Sequence, residues 1–296
     1  MIQMKESNKC GINTTCVHVG EVSDEQFKGA VSPIYTSTSY GFDGVDVKRY
    51  PRYFNTPNQE MLRKKIAALE KTEDALIFGS GMGAISAALF AFLEKGDHVV
   101  VQQVIYGGTY NFIVSEFEKF GIEYSFTESD KAEDFKALIK KNTKVLYIET
   151  PSNPLLGITD MKAISALAKE YKILTMIDNT FASPINQTPV DFGIDIMLHS
   201  ATKYMGGHSD ISAGVIAASR EHIEQIWKTA INLGGNLSDQ TVWLLERSLK
   251  TLNLRVKEQT KNAQEMANYL DGNTNIDKVY YPGLSNHPGF EIAAKQ

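Results

Sequence analysis

Cysteine is nearly absent. Cys10 and Cys16 are the only two in 296 residues, too few and too close to one end to staple so long a chain, so the pair reads as two reduced thiols of a cytoplasmic protein. Long apolar runs are missing too. No segment approaches the roughly 20 residues that a bilayer span needs, and Met1 to Gly20 lacks the basic start and apolar stretch of a signal peptide. Nor is there an excess of positive charge: Lys+Arg 30 against Asp+Glu 35 leaves -5, and Lys140-Lys141 is too short a basic run to offer a nucleic-acid surface. His199, His208, His222 and His287 show no metal-ligand spacing such as H-E-x-x-H, and no G-x-S-x-G elbow occurs. Zinc chemistry and elbow-type hydrolysis therefore have no basis in this chain.

What is present is 43% apolar residues, enough for a large core. From residue 75 onward short apolar runs alternate with amphipathic stretches, the rhythm of crossover units around a mainly parallel sheet. Strands are expected near Ala75 to Phe78, His98 to Val101, Val145 to Glu149, Ile173 to Ile177, Ile194 to His199 and Gly214 to Ala218. Between them Ile164, Leu167, Ala168 and Tyr171 recur at the spacing of one helix face, and Phe112, Glu116, Phe117 and Phe120 partly repeat it. Residues 1–48, rich in Ser, Thr and Gly, read as an extended arm, and 49–233 as an α/β domain. Val256, Ala263, Ala267 and Leu270 mark a long helix opening a smaller domain over 234–296, which ends after few elements.

Ligands of open α/β sheets gather beyond the carboxyl ends of strands, and Gly79-Ser80-Gly81, Tyr106, Asn153, Asp178 and Lys203 all fall there. Each has an ordinary reading on its own: a structural glycine turn, a packed loop aromatic, a helix cap or salt-bridge partner, a surface lysine. As a set they match one cofactor. Pyridoxal phosphate is held by a lysine amine that forms a Schiff base with its aldehyde and by an aspartate that keeps the pyridine nitrogen protonated, and Lys203 and Asp178 suit those parts. Gly79-Ser80-Gly81-Met82-Gly83-Ala84, between a strand and an apolar helix, offers backbone amides to a phosphate. The same letters fit G-x-G-x-x-A of dinucleotide enzymes, but the next strand ends in Gln102-Gln103 where a ribose-binding acid is needed, which counts against a nicotinamide oxidoreductase. Tyr106 can stack on a flat ring and exchange a proton through its hydroxyl.

Tyr50-x-Arg52, Ser80-Gly81-Met82, Tyr106-Gly107-Gly108-Thr109, Glu149-Thr150-Pro151-Ser152-Asn153-Pro154, Asp178-Asn179-Thr180 and Ser200-Ala201-Thr202-Lys203-Tyr204 resemble, in order, the motifs of the Cys/Met-metabolism family of pyridoxal-phosphate enzymes. That family includes cystathionine γ-synthase, cystathionine γ-lyase, cystathionine β-lyase and methionine γ-lyase, and the likeness runs from about Val31 to the last residue. The resemblance implies fold-type I, a mainly parallel seven-stranded sheet flanked by helices, with an arm before it and a small α/β domain after it. It implies Lys203 as the Schiff-base lysine, Asp178 at the pyridine nitrogen, Tyr106 on the ring, and Asn153 beside the ring oxygen or the substrate carboxylate. Gly81 and Met82 amides with the Ser200 and Thr202 hydroxyls would take the phosphate, Thr180 completes the cofactor contacts, and Tyr50 and Arg52 would reach the phosphate of a neighbouring subunit. An active homodimer, usually a dimer of dimers, is implied with them.

The implied activity is cleavage or exchange of a C–S bond in a sulfur amino acid, of the cystathionine γ-lyase or γ-synthase type, with methionine γ-lyase or cystathionine β-lyase as alternatives and a weakly active cofactor-binding protein as the reading from another class. Methionine γ-lyases typically carry cysteine where Gly108 stands, and sulfhydrylating relatives often read Gly-His-Gly-Thr at Gly207-His208-Ser209-Asp210. Cystathionine-handling relatives frequently place an acid at Arg49, and Asn55-Thr56-Pro57 replaces the usual Asn-Pro-Thr. The sequence also stops before the position where relatives supply the arginine for the substrate α-carboxylate.

Overall fold

Apolar runs without alternation belong to strands covered on both faces, and the computed structural model, which describes residues 10–296, contains such strands. They are β1 Asp74–Phe78, β2 His98–Val101, β3 Glu123–Phe126, β4 Thr143–Glu149, β5 Leu174–Asp178, β6 Ile196–His199 and β7 Gly214–Ala218. Their order in the sheet is β1-β7-β6-β5-β4-β2-β3. The pairs β2 with β3, β2 with β4 and β4 with β5 are parallel, and β1 runs antiparallel to β7. The mostly parallel sheet flanked by helices is the expected fold. The strands expected from apolar runs are all present; β3 is the addition. Its Glu-Tyr-Ser-Phe is half-buried at the sheet edge, where a short strand opening on a charge resists further pairing.

The helices are α1 Ile12–His18, α2 Pro57–Glu70, α3 Gly81–Phe92, α4 Gly107–Phe120, α5 Ala132–Leu138, α6 Met161–Tyr171, α7 Ser183–Asn186, α8 Arg220–Leu233, α9 Asp239–Leu249, α10 Leu252–Asp271 and α11 Phe290–Ala293. Ile164, Leu167 and Ala168 of α6 are buried as their spacing requires, whereas Tyr171 at its end is exposed. In α10 Val256 and Ala267 are buried, Leu270 is half-buried and Ala263 is exposed. The departure Asn55-Thr56-Pro57 has a local reason: Thr56 caps α2. Its hydroxyl accepts from the Gln59 amide at 3.3 Å while the Gln59 side chain accepts from the Thr56 amide at 3.1 Å, and Pro57 takes the first helical position, where no amide is needed.

The chain divides into two units, one formed by Met1–Ala91 with Leu198–Asn253 and the other by Phe92–Met197 with Leu254–Gln296. The first buries Leu62, Ile66 and Leu69 of α2 and Leu76, Ile77 and Phe78 of β1. The second buries Val99, Val100 and Val101 of β2, Val145 to Ile148 of β4, and Met176 and Ile177 of β5. Residues between Val19 and Tyr50 form no helix or strand, and Phe27 is 79% exposed there. Among the described residues no helix is long and apolar enough to cross a membrane.

Candidate active site

In the first unit the loop after β1 comes closest to a phosphate cradle. The Ser80 hydroxyl accepts from the Gly83 amide at 3.0 Å and caps α3, leaving the Gly81 and Met82 amides at the helix start. A Cβ built on Gly81 would stand 2.8 Å from Ser200 Cβ and 3.0 Å from Ser200 Oγ. No side chain fits between that loop and Ser200, so glycine is required for the approach. On the other side a Cβ on Gly214 would meet the Ser80 carbonyl oxygen at 2.0 Å, and Ser212 Oγ donates to the Gly79 carbonyl at 2.9 Å. These contacts leave the loop one position.

Ser200 follows β6, whose last residue is fixed by a buried pair: His199 Nε2 lies 2.5 Å from Glu70 Oε1 of α2. Thr202 is pinned to Ala213, its hydroxyl donating to the carbonyl at 3.1 Å and accepting from the amide at 3.0 Å. The Lys203 amide donates to the Ser200 carbonyl at 3.1 Å and its carbonyl accepts from Gly207 at 2.7 Å, so a tight turn presents an exposed lysine side chain. Tyr50 and Arg52 are both exposed. The Arg52 guanidinium lies over the Tyr50 and Tyr53 rings at 5.7 and 5.4 Å and donates to the Ile231 carbonyl of the same chain.

In the second unit β4 and β5 end side by side, with Glu149 in register with Asp178 and both carboxyls buried. Glu149 Oε2 accepts from the Tyr106 amide at 2.7 Å and Oε1 from the Asn153 amide at 2.9 Å. Tyr106, Asn153 and Asp178 are thus brought around one carboxyl that the sequence reading quoted in a motif but gave no part to play. Gln102, which in the sequence only marks the absence of a ribose-binding acid, holds the Glu149 backbone. Its buried amide donates to the Glu149 carbonyl at 2.9 Å and accepts from the Glu149 amide at 3.1 Å. The signal for Glu149 was its place as the last residue of an apolar run, where a buried charge needs a reason. Asp178 Oδ1 accepts from the Thr180 amide at 3.0 Å. The Tyr106 ring lies against Gly108, where a Cβ would stand 2.4 Å from Tyr106 Cε1.

Burial, and after it the charge of Asp178, pushes the Glu149 carboxyl up to about 8, against the pull of its two amide donors. The same burial and the two carboxylates drive the Tyr147 phenol well above its ordinary range. For Glu149 the sign is set by the folded state holding a proton that the unfolded chain releases near 4.5. Between about pH 5 and 8 the folded state therefore binds more protons at this group, and the Glu149 contribution to stability falls as pH rises through that window. The urea midpoint of cofactor-stripped protein should decline across it relative to that of Glu149→Gln; a constant difference between the two proteins would mean that Glu149 titrates normally.

The model of the family described as Cys/Met metabolism PLP-dependent enzyme matches residues 13–296. A cystathionine beta-lyase of Lactococcus lactis subsp. cremoris strain MG1363 is 42% identical over 289 residues, 96% of this chain and 76% of the relative. An L-methionine gamma-lyase of Fusobacterium nucleatum subsp. nucleatum is 39% identical over 305 residues, covering 98% and 77% of the two chains. The crystal structure of metB from Corynebacterium glutamicum superposes with a TM-score of 0.94 at 37% identity, over 98% of this chain and 77% of that one.

Proposed function

The chain belongs to the Cys/Met-metabolism family of pyridoxal-phosphate-dependent enzymes, with trans-sulfuration lyase or synthase chemistry, and from that premise we propose that it cleaves or exchanges the Cγ–S bond of cystathionine or a close relative. The observation carrying the cofactor assignment is the close approach of Gly81 to Ser200, which a Cβ would block and which sets the amides of the helix start beside the Ser200 hydroxyl. These amide and hydroxyl donors suit a phosphate. The buried Asp178, register partner of a carboxyl that burial already holds partly protonated, suits a cationic ring nitrogen.

Lys203 would hold the cofactor aldehyde, Gly81, Met82 and Ser200 its phosphate, joined by Thr202 once its hydroxyl turns from the Ala213 carbonyl, and Tyr106, Asn153, Asp178 and Thr180 the ring. Bound there, pyridoxal phosphate supplies an electrophilic carbon for the substrate amine and an electron sink for the pair left at Cα. Lys203 Nζ would take the Cα proton and carry it onward. The Asp178 carboxylate keeps the ring nitrogen protonated. The Tyr106 hydroxyl donates a proton to the departing sulfur. For a Cγ–S bond a Cβ proton must leave as well, which Lys203 also serves. Residues 1–48 as an arm, 49–233 as the cofactor domain and 234–296 as the start of a smaller domain belong to the same proposal. So does a homodimer in which Tyr50 and Arg52 exchange their present contacts for the neighbour's phosphate.

A panel of cystathionine, cysteine, methionine and acylated homoserine tests the reading. Cleavage at Cγ of cystathionine gives cysteine, 2-oxobutanoate and ammonia; cleavage at Cβ gives homocysteine, pyruvate and ammonia, the second reading favoured by the Lactococcus lactis cystathionine beta-lyase at 42% identity. Cystathionine is expected to exceed methionine in kcat/KM by roughly tenfold or more, the scale of one pocket contact. The motivation is Gly108, which lets the Tyr106 ring lie where a cysteine side chain would displace it. Methionine outperforming cystathionine would overturn the substrate assignment.

A further inference from the structure

We infer that Glu149 is a positioning residue whose single carboxyl joins the backbone of the Tyr106 loop to that of the Asn153 loop and so fixes both against the cofactor ring. The inference rests on the cofactor reading above and deepens it. Tyr106 is the residue before α4, so its amide has no partner within the helix, and its own side chain makes no capping bond. Asn153 lies in the turn after β4, where Ser152 and Leu156 are closed by bonds to Gly157 and Ser152. Glu149 supplies the acceptor for both amides, one oxygen each, at 2.7 and 2.9 Å.

The carboxyl is itself built in. Glu149 is 4% exposed, and its backbone is held at both ends by the Gln102 side chain. That side chain accepts in turn from Thr159 Oγ1 at 3.0 Å. The Gln187 amide ties the Thr150 carbonyl, 2.8 Å away, to the Asn179 side chain, also at 2.8 Å, so the loop after β5 joins the same network. An acid with no purpose beyond filling a strand end would be replaced at lower cost by an apolar side chain, because a buried carboxyl loses solvation that only specific bonds return. Here the specific bonds go to two loops that carry proposed ring contacts.

Glu149→Gln keeps shape and one acceptor but turns an amide NH2 toward a backbone N–H, so one of the two bonds is lost. Cofactor-stripped Glu149→Gln should rebind pyridoxal phosphate about fivefold more weakly, the scale of one ordinary hydrogen bond. The circular dichroism of the bound cofactor band should shrink, and cofactor-saturated enzyme should lose kcat with a separate rise in KM, one from each loop. Glu149→Asp, too short to reach both amides, should behave alike. Unchanged affinity, dichroism and kinetics in a folded variant would overturn the inference while leaving the cofactor reading intact; a wild-type protein that binds no cofactor would instead sink that reading. Should both variants fail to fold, amide exchange in the wild type decides: Tyr106 and Asn153 amides both slow supports the joint, and either at the solvent rate refutes it.

Discussion

Lys203→Ala is expected to lower turnover about a thousandfold or more, since one side chain then fails both as covalent partner of the cofactor and as the base at Cα. The loss should come without unfolding. Lys203 is exposed, and the turn around it is held by backbone bonds from its amide to Ser200 and from Gly207 to its carbonyl, none of which needs the side chain. Exposed positions of that kind change stability by only about 0.5 kcal/mol, so urea midpoints of cofactor-stripped variant and wild type should agree. Lys203→Arg keeps the charge but has no readily lost proton and should be as inactive. Borohydride treatment of the wild type should place the cofactor on the peptide containing Lys203 and abolish the visible band. An adduct on a different lysine, or an active Lys203→Ala, would remove the residue from the mechanism.

The strands were legible because buried parallel strands are written as unbroken apolar runs: Ala75 to Phe78 and Val145 to Glu149 could hardly be read otherwise. β3 was not, because Glu123-Tyr-Ser-Phe at an edge is half-buried and carries no such run. The site divides along a similar line. Residues whose chemistry is rare at a strand end, Asp178 and Lys203, stood out by type and place. Residues that act through what they touch did not: the acceptors of Glu149 matter because two distant amides arrive beside them, and that coincidence is a property of folded loops. Thr202 and Arg52 were named through the family resemblance, but the contact of the Thr202 hydroxyl with Ala213 and that of Arg52 with Ile231 across 179 positions of sequence were not legible. Gly81 and Gly214 were visible as glycines, but only the distances to Ser200 and Ser80 say why no other residue serves.

Asp178→Asn is expected to separate activity from stability in opposite directions. The asparagine has the size of the aspartate and can still accept from the Thr180 amide, now at 3.0 Å, so the turn after β5 should survive. What disappears is the charge that keeps a ring nitrogen protonated, and losing a charge-assisted bond of about 1.5–3 kcal/mol corresponds to a fall in kcat of roughly ten- to a hundredfold or more. Asp178→Glu, which keeps a carboxylate, should lose less. In the cofactor-stripped protein the effect reverses, because the register partner Glu149 is raised first by burial and then by the Asp178 charge. Removing that charge lets Glu149 ionise at lower pH, so the folded state retains its extra proton over a narrower window and stability declines less toward pH 8. The variant should therefore be a poorer enzyme in the kinetic assay and, near pH 8, a relatively more urea-resistant apoprotein. Rates close to wild type in Asp178→Asn would make the aspartate structural; a stability loss at every pH would show that its hydrogen bonds, and not its repulsion from Glu149, dominate the strand ends.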